Sequence, residues 1–329
     1  MERAIERSRW GPGTGGNPED VTLCHMRVTT QAHIFSIYFV ANSGLEQVLT
    51  KLPEFFLDQD CKIVKLEKKV SVVRVPLRIG RRITPVYIKQ HNAVSFKHRL
   101  ASVFCASAAL RSLSGAATLL QQGYATARPL AAVEYRRWGV LLKSFYVSEE
   151  ILGAKTIRDY WREDLVSIDG VEGYLKRRAV LAALESLFRS LHESGIYHND
   201  LKASNILALD GAPTAVTKFR LIDLQGLRKC IYLSKRRRIK NLAQINRTLG
   251  NDLSRTEKLF FVEAYAGRQR LAGRKKRRLV RSILKETRRQ LIRERARHPA
   301  TEDERFSALA QATRARGRTN AAAGSGVEP

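Results

Sequence analysis

Tyr197-His198-Asn199-Asp200-Leu201-Lys202-Ala203-Ser204-Asn205-Ile206-Leu207, with Leu221-Ile222-Asp223-Leu224-Gln225-Gly226 a short way downstream, is the stretch that decides the fold. Its surroundings are ordered. Before it, Val171 to Ser194 carries Tyr174, Val180, Leu181, Leu184, Leu187, Phe188 and Leu191 near the 3.6-residue period, which predicts a helix, and Gly195 ends it. After it, Asn205–Leu209 and Lys218–Ile222 read as short strands around the turn residues Asp210-Gly211-Ala212-Pro213. A chance surface loop holding His, Asp and Asn has no reason to come with this helix before it and this hairpin behind it.

The spacing suits phosphoryl transfer, which needs a group to orient the attacking hydroxyl, metal ions to neutralise phosphate charge and a cation on the phosphates. Asp200 can accept or orient a hydroxyl proton. Lys202 can reach the transferred phosphate, and His198 braces the loop. Asn205 offers an amide oxygen and Asp223 a carboxylate to Mg²⁺. Lys89 closes the strand-like Val86-Tyr87-Ile88-Lys89, where a lysine can meet the α- and β-phosphates; alone, a strand-end lysine is usually just solvated, and it is the later loop that gives Lys89 a role.

Working outward, Lys62–Leu66, Val70–Val75 and Pro85–Lys89 are rich in β-branched residues, with Ile79-Gly80-Arg81-Arg82 as a turn. Residues 97–122 read as a helix stopped by Gly123, and Leu141–Val147 as a strand. Leu242–Ile245 and Glu257–Ala266 return to helix. The expected division is a weakly patterned N-terminal tail over 1–45, a small β-rich lobe over 46–147, a larger helical lobe over 148–267, a basic amphipathic helix over 268–298 and a disordered tail over 299–329.

Composition narrows the partners. The 329 residues include 59 Lys+Arg against 31 Asp+Glu, a net charge of +28. Such a field attracts nucleic acid, an anionic membrane surface or a phosphorylated substrate. Cys24, Cys61, Cys105 and Cys230 show no CxxC spacing, which argues against a zinc site and for reduced thiols. The N-terminus lacks the apolar run of a signal peptide, and no uninterrupted apolar stretch reaches the ~18 residues that span a bilayer. A cytoplasmic protein, soluble or peripheral, is expected.

The loop and the Leu221–Arg228 segment resemble the lipopolysaccharide kinase (Kdo/WaaP) family over roughly residues 60–270. Gln122–Leu130 and Leu253–Tyr265 are similar to further family stretches. The resemblance implies an α+β, bilobal protein-kinase-like fold and an ATP- and Mg²⁺-dependent kinase. Its acceptor would be a hydroxyl of an inner-core sugar, Kdo or heptose, on a glycolipid at the cytoplasmic face of the inner membrane. It carries over catalytic Asp200, metal-binding Asn205 and Asp223, and ATP-binding Lys89, and sets Glu149, in Ser148-Glu149-Glu150, at the hinge between lobes. The chain departs from the protein-kinase pattern in three places. No full glycine-rich loop precedes Lys89. The helix after Lys89 has no acid, the first Asp or Glu beyond Glu67 being Glu134, so Gln121 or Gln122 stands as a weak substitute. Asp223-Leu224-Gln225-Gly226 lacks the usual Phe-Gly.

Two basic stretches lie outside this core. In Arg268–Arg297, fourteen of thirty residues are Lys or Arg, interleaved with Leu271, Leu279, Val280, Ile283, Leu284, Leu291 and Ile292 at helical spacing. That pattern fits either a helix lying on an anionic membrane or a terminal helix that packs its apolar stripe and solvates its charges. The stretch lacks aromatic interleaving, so a nucleic-acid partner is not expected. Lys235-Arg236-Arg237-Arg238 is either a clamp for an acceptor's phosphate or carboxylate or a plain surface turn. Other readings of the whole are a protein or small-molecule kinase, and a pseudokinase scaffold; retention of Asp200, Lys202, Asn205 and Asp223 together argues against the scaffold.

Overall fold

The computed structural model describes residues 2–6, 23–29, 34–40, 45–56, 61–79, 81–93, 105–209, 219–266 and 273–297. The expected tail after 299 and the turn residue Gly80 lie outside them.

The β-branched runs form an antiparallel sheet. Its strands are β1 (Glu2–Glu6), β2 (Leu23–Thr29), β3 (Ile34–Val40), β4 (Lys62–Leu66), β5 (Val70–Ile79), β6 (Arg82–Asn92), β7 (Pro129–Arg137) and β8 (Val140–Glu149), in the order β1-β2-β3-β7-β8-β6-β5-β4. Side chains alternate across it. Val73, Val75, Val86, Ile88, Phe145 and Val147 enter a core that also takes Leu45, Leu49 and Leu52 from around α1 (Glu46–Leu49). Lys89 faces the other way, aligned with Val72 on β5 and Tyr146 on β8. On that side α2 (Ala108–Gln121) packs Ala109 and Leu113 on Ala132.

The segment read as a tail over 1–45 is corrected by this sheet. β3 pairs with β7, Ile37 against Val133, and Ile37 is fully buried, so the small lobe begins well before residue 46. Of the helix expected over 97–122, residues 97–104 lie outside the described residues; the described part, α2, runs from Ala108, where the Ser107 hydroxyl accepts from Leu110 N and fixes the first turn. Gly123, with φ of +75°, supplies the left-handed residue that stops it.

β8 leads into the helical lobe. Its core is α3 (Gly170–Glu193), which buries Val180, Leu181, Leu184, Leu187, Phe188 and Leu191. Around it lie the hairpin-like pieces β9 (Lys155–Thr156), β10 (Ile196–His198), β11 (Ile206–Ala208), β12 (Phe219–Leu221) and β13 (Leu227–Lys229), then α4 (Lys235–Leu249) and α5 (Arg255–Tyr265). A Ser254/Glu257 capping box starts α5. The basic segment forms α6 (Gly273–Arg297) and packs along α4: Ile283 joins the core, Thr287 Oγ1 accepts from Asn246 Nδ2 at 3.1 Å, and Gln290 Nε2 donates to Lys240 O at 3.3 Å. Part of its apolar stripe is therefore a packing stripe, while Leu284, Leu291 and Ile292 stay exposed. Among the described residues, no helix is long and apolar enough to cross a membrane.

Candidate active site

The two lobes face each other across a cleft of about 780 Å³, lined among others by Val72, Lys89, Tyr146, Glu149, Asn205 and Asp223. It is large enough for a nucleotide-sized ligand.

The floor is the loop between β10 and β11. His198 is buried and works as a brace. Its Nδ1 accepts from Asp200 N at 3.2 Å, so Nε2 carries the proton and donates to Ile222 O at 3.1 Å. Burial depresses its pKa below the ordinary histidine value, which keeps the ring in this neutral, two-ended role. His198 thereby ties Asp200 to the residue preceding Asp223. Asp200 is partly exposed, with its carboxylate 2.9 Å from Lys202 Nζ. Asn205 Nδ2 donates to Asp200 O at 2.8 Å, which turns the amide oxygen away from that bond and makes it the atom that could meet a cation.

Asp223 sits in the left-handed region at φ 63°, an outlier for a non-glycine residue that aims its carboxylate into the cleft. Lys89 reaches it from the facing sheet at 2.6 Å. Burial pushes the Asp223 carboxyl up, but the Lys89 ammonium, helped by the charge of Lys202, outweighs it and holds the group ionised. The structure thus brings Lys89, Asn205 and Asp223 to one cleft, with Asp200 next to Asn205, its Oδ2 3.3 Å from Asn205 Nδ2, and Lys202 beside Asp200. Glu149 lines the same cleft at the end of β8, with its carboxylate 3.0 Å from Arg128 Nη1. Its neighbour Glu150, which also lines the cleft, is gripped by Arg74 at 2.9 and 2.7 Å.

Among the described residues no group of three or more His, Cys, Asp and Glu converges on one point. The donor set on offer is one amide oxygen and one ionised carboxylate. This fits Mg²⁺, which keeps waters and phosphate oxygens as its other ligands and is poorly served by an all-protein cage.

The missing helix acid is absent in space as well as in sequence. Glu134 is buried on β7, accepting from Ser107 N at 3.2 Å and Arg136 Nε at 3.1 Å, so it secures the start of α2. Gln122 accepts from Lys229 Nζ at 2.8 Å, away from Lys89, and is corrected as a substitute. Lys89 has Asp223 as its carboxylate instead. Helix α2 reaches the site through Gly115, where a Cβ would stand 2.7 Å from Leu224 O.

Three further residues hold the floor, and all come from α4. Asn241 Nδ2 donates to His198 O at 2.6 Å, Gln244 Nε2 to Asn199 O at 2.6 Å, and Gln244 Oε1 accepts from Leu201 N at 3.1 Å. Thr248 Oγ1 accepts from Ala203 N at 2.9 Å. Asn241, Gln244 and Thr248 share one helix face by their spacing, which is the only signal that could have pointed to them. Behind Asn241, buried His192 bridges to the Tyr265 hydroxyl, 2.7 Å from Nδ1.

Fold and site together define a kinase-type phosphotransferase, with a lysine on the sheet and a carboxylate–amide floor below it. The chain belongs to the lipopolysaccharide kinase (Kdo/WaaP) family, whose profile matches residues 81–265, and as a member it is a kinase acting on a sugar hydroxyl. Among solved structures it is similar to one described as "WaaP in complex with acyl carrier protein", at 20% sequence identity and a TM-score of 0.56, over 76% of this chain and 98% of that one. No curated protein matches it.

Proposed function

We propose that this protein transfers the γ-phosphate of ATP to a hydroxyl of a lipopolysaccharide inner-core sugar, Kdo or heptose, with Asp200 as the residue that receives the acceptor's proton. The observation that carries the reading is the convergence of Lys89, Asp223 and Asn205 on one cleft, with Lys89 and Asp223 joined at 2.6 Å across the lobes and Asp200 hydrogen-bonded to Asn205 beside them.

Asn205 and Asp223 would hold Mg²⁺, which supplies neutralisation of phosphate charge. Lys89 is placed to share itself between Asp223 and the non-transferred phosphates, and the hinge at Glu149 flanks the nucleoside. Lys202, 2.9 Å from Asp200, sits where negative charge gathers during transfer and keeps Asp200 oriented.

The reading sets the enzyme on the cytoplasmic face of the inner membrane. Support comes from α6, whose exposed Leu284, Leu291 and Ile292 lie among arginines and suit an anionic lipid surface. Leu284→Asp with Ile292→Asp should release the protein from anionic vesicles, with unchanged binding contradicting this part. Removing the helix altogether would also strip Ile283 from the core and so confuse docking with folding. An acyl carrier protein, the partner in the solved neighbour's complex, is a candidate partner here too, and the +28 charge favours an acidic one.

The test is label transfer from γ-³²P-ATP with Mg²⁺ to core glycolipids, free sugars and proteins. Asp200→Ala should cut glycolipid labelling by at least about 100-fold at an unchanged melting temperature. Labelling that survives this change, or that goes only to protein acceptors, would overturn the reading.

A further inference from the structure

Helix α4 presents one continuous face to the catalytic loop. Its later part, Asn241, Gln244 and Thr248, holds the loop's backbone. Its earlier part carries charge to the open side of the same loop. Arg237 and Lys240, one turn apart, both gather on Tyr197: the Arg237 guanidinium lies 5.4 Å and the Lys240 ammonium 5.6 Å from the ring centroid. Lys240 Nζ also donates to Asn199 Oδ1 at 3.1 Å, and Tyr197 OH to the same oxygen at 3.3 Å. Asn199 is the residue immediately before Asp200, and its side chain is exposed.

Like charges brought to one ring repel, and a structure tolerates that most readily where an anion arrives. Among the described residues Arg237 Nη1 otherwise donates to the Cys230 thiol, at 2.9 Å. Among the described residues no ion pair joins Lys235, Arg236, Arg237, Arg238 or Lys240 to a carboxylate, although Arg247 on the same helix and Lys202 in the loop both have one. The four-residue basic run also divides in space. Arg238 turns back to Leu233 O at 3.1 Å and lies over Tyr232, while Lys235 and Arg236 are exposed. Arg237 is the member that faces the loop, and Lys240, outside the run, joins it.

We propose that Arg237 and Lys240, seated on Tyr197 and Asn199, form an anion subsite that grips a carboxylate or phosphate of the acceptor while its hydroxyl meets Asp200. The placement rests on the kinase reading of the cleft. Arg supplies a planar fork for two oxygens and Lys a point charge, so the pair fits an oxyanion on a flexible glycan better than a neutral sugar face. The subsite makes the enzyme select acidic acceptors over neutral ones of the same shape.

Binding to the Asp200→Asn protein measures this without turnover. Calorimetric or NMR titration would compare Kdo with its methyl ester, and glucosamine 6-phosphate with glucosamine. The acid should bind about tenfold tighter than its neutral counterpart in at least one pair, as loss of one charged hydrogen bond implies. The pair that shows it identifies whether carboxylate or phosphate is the natural anion. Arg237→Gln with Lys240→Gln should bring that ratio close to one while leaving the neutral sugar's affinity alone, and Lys240→Arg should restore most of it. No preference for the acid, a preference that survives the double change, or an equal loss for acid and neutral ligands would overturn the subsite. Should the preference be present but wild-type protein label no sugar, the kinase reading falls and the anion subsite stands.

Discussion

The two walls of the cleft are built differently. The helical lobe holds its loop from behind: Asn241, Gln244 and Thr248 bind its backbone, and buried His198 locks Asp200 to the Asp223 segment. The sheet wall offers Lys89, steadied by the single carboxylate of Asp223 and by no acid from α2. One wall is preorganised by its own interior. The other takes its order from across the cleft, so a bound nucleotide, which competes for Lys89, should matter more to it. Damage to the floor should therefore cost stability and turnover together, whereas damage to the sheet wall should appear mainly in nucleotide affinity.

Gln244→Leu is the strongest way to break the floor. It leaves Asn199 O and Leu201 N without their partner in a buried setting, at a cost of about 3 kcal/mol. Chemical unfolding should show that loss, and kcat should fall with the ATP KM little changed. An affected ATP KM at unchanged kcat would remove the contrast between walls.

Acid should act on the interior of both lobes, at His192 in the helical lobe and His91 on β6. Burial holds His192 at about 4 and His91 also at about 4, below the ordinary value of about 6.5. The unfolded chain therefore binds more protons, and the stability these neutral rings contribute is present above pH 6.5 and lost as pH falls towards 4. The expected loss is on the order of 2–3 kcal/mol for His192, read by urea unfolding at pH 7 and pH 4.5. His192→Gln should flatten that slope, and an unaltered slope would show that the ring is not the group that titrates.

How much of this the sequence revealed follows the same divide. The loop from His198 to Asn205 was legible because its chemistry is local: every role falls within eight residues and needs only a helix before and a strand after. Asp223 and Lys89 followed from strand ends. The residues behind the loop were not legible, since Asn241, Gln244 and Thr248 on a helix headed by Lys235–Arg238 look like a solvated face until the helix is seen lying under the loop. Ile34–Val40 falls in the stretch whose sequence reads as a weakly patterned tail, because the partner that makes it a strand, β7, lies about a hundred residues later. In α6 the sequence held both readings, and the structure divides them: Ile283 packs, Leu284 does not.

Smaller effects should come from the sheet wall. Lys89→Met should raise the ATP KM about tenfold, the worth of one charged hydrogen bond, with a melting shift smaller than that of Gln244→Leu. Gly115→Ala forces α2 off Leu224 O, where the new Cβ would stand at 2.7 Å, and should cost about 1 kcal/mol with a modest rise in the same KM. A kcat loss without a KM change in either variant would mean that the walls act as one unit.

Asp223 is where the two walls meet, so its removal tests the account most directly. Transfer of γ-³²P from ATP to a core-sugar glycolipid should be compared between wild-type protein and Asp223→Asn, which keeps the shape but removes the charge that pairs Lys89. The account predicts labelled glycolipid with the wild type and at least about 100-fold less with the variant, at matched folding. Transfer by Asp223→Asn within a few-fold of wild type would contradict it.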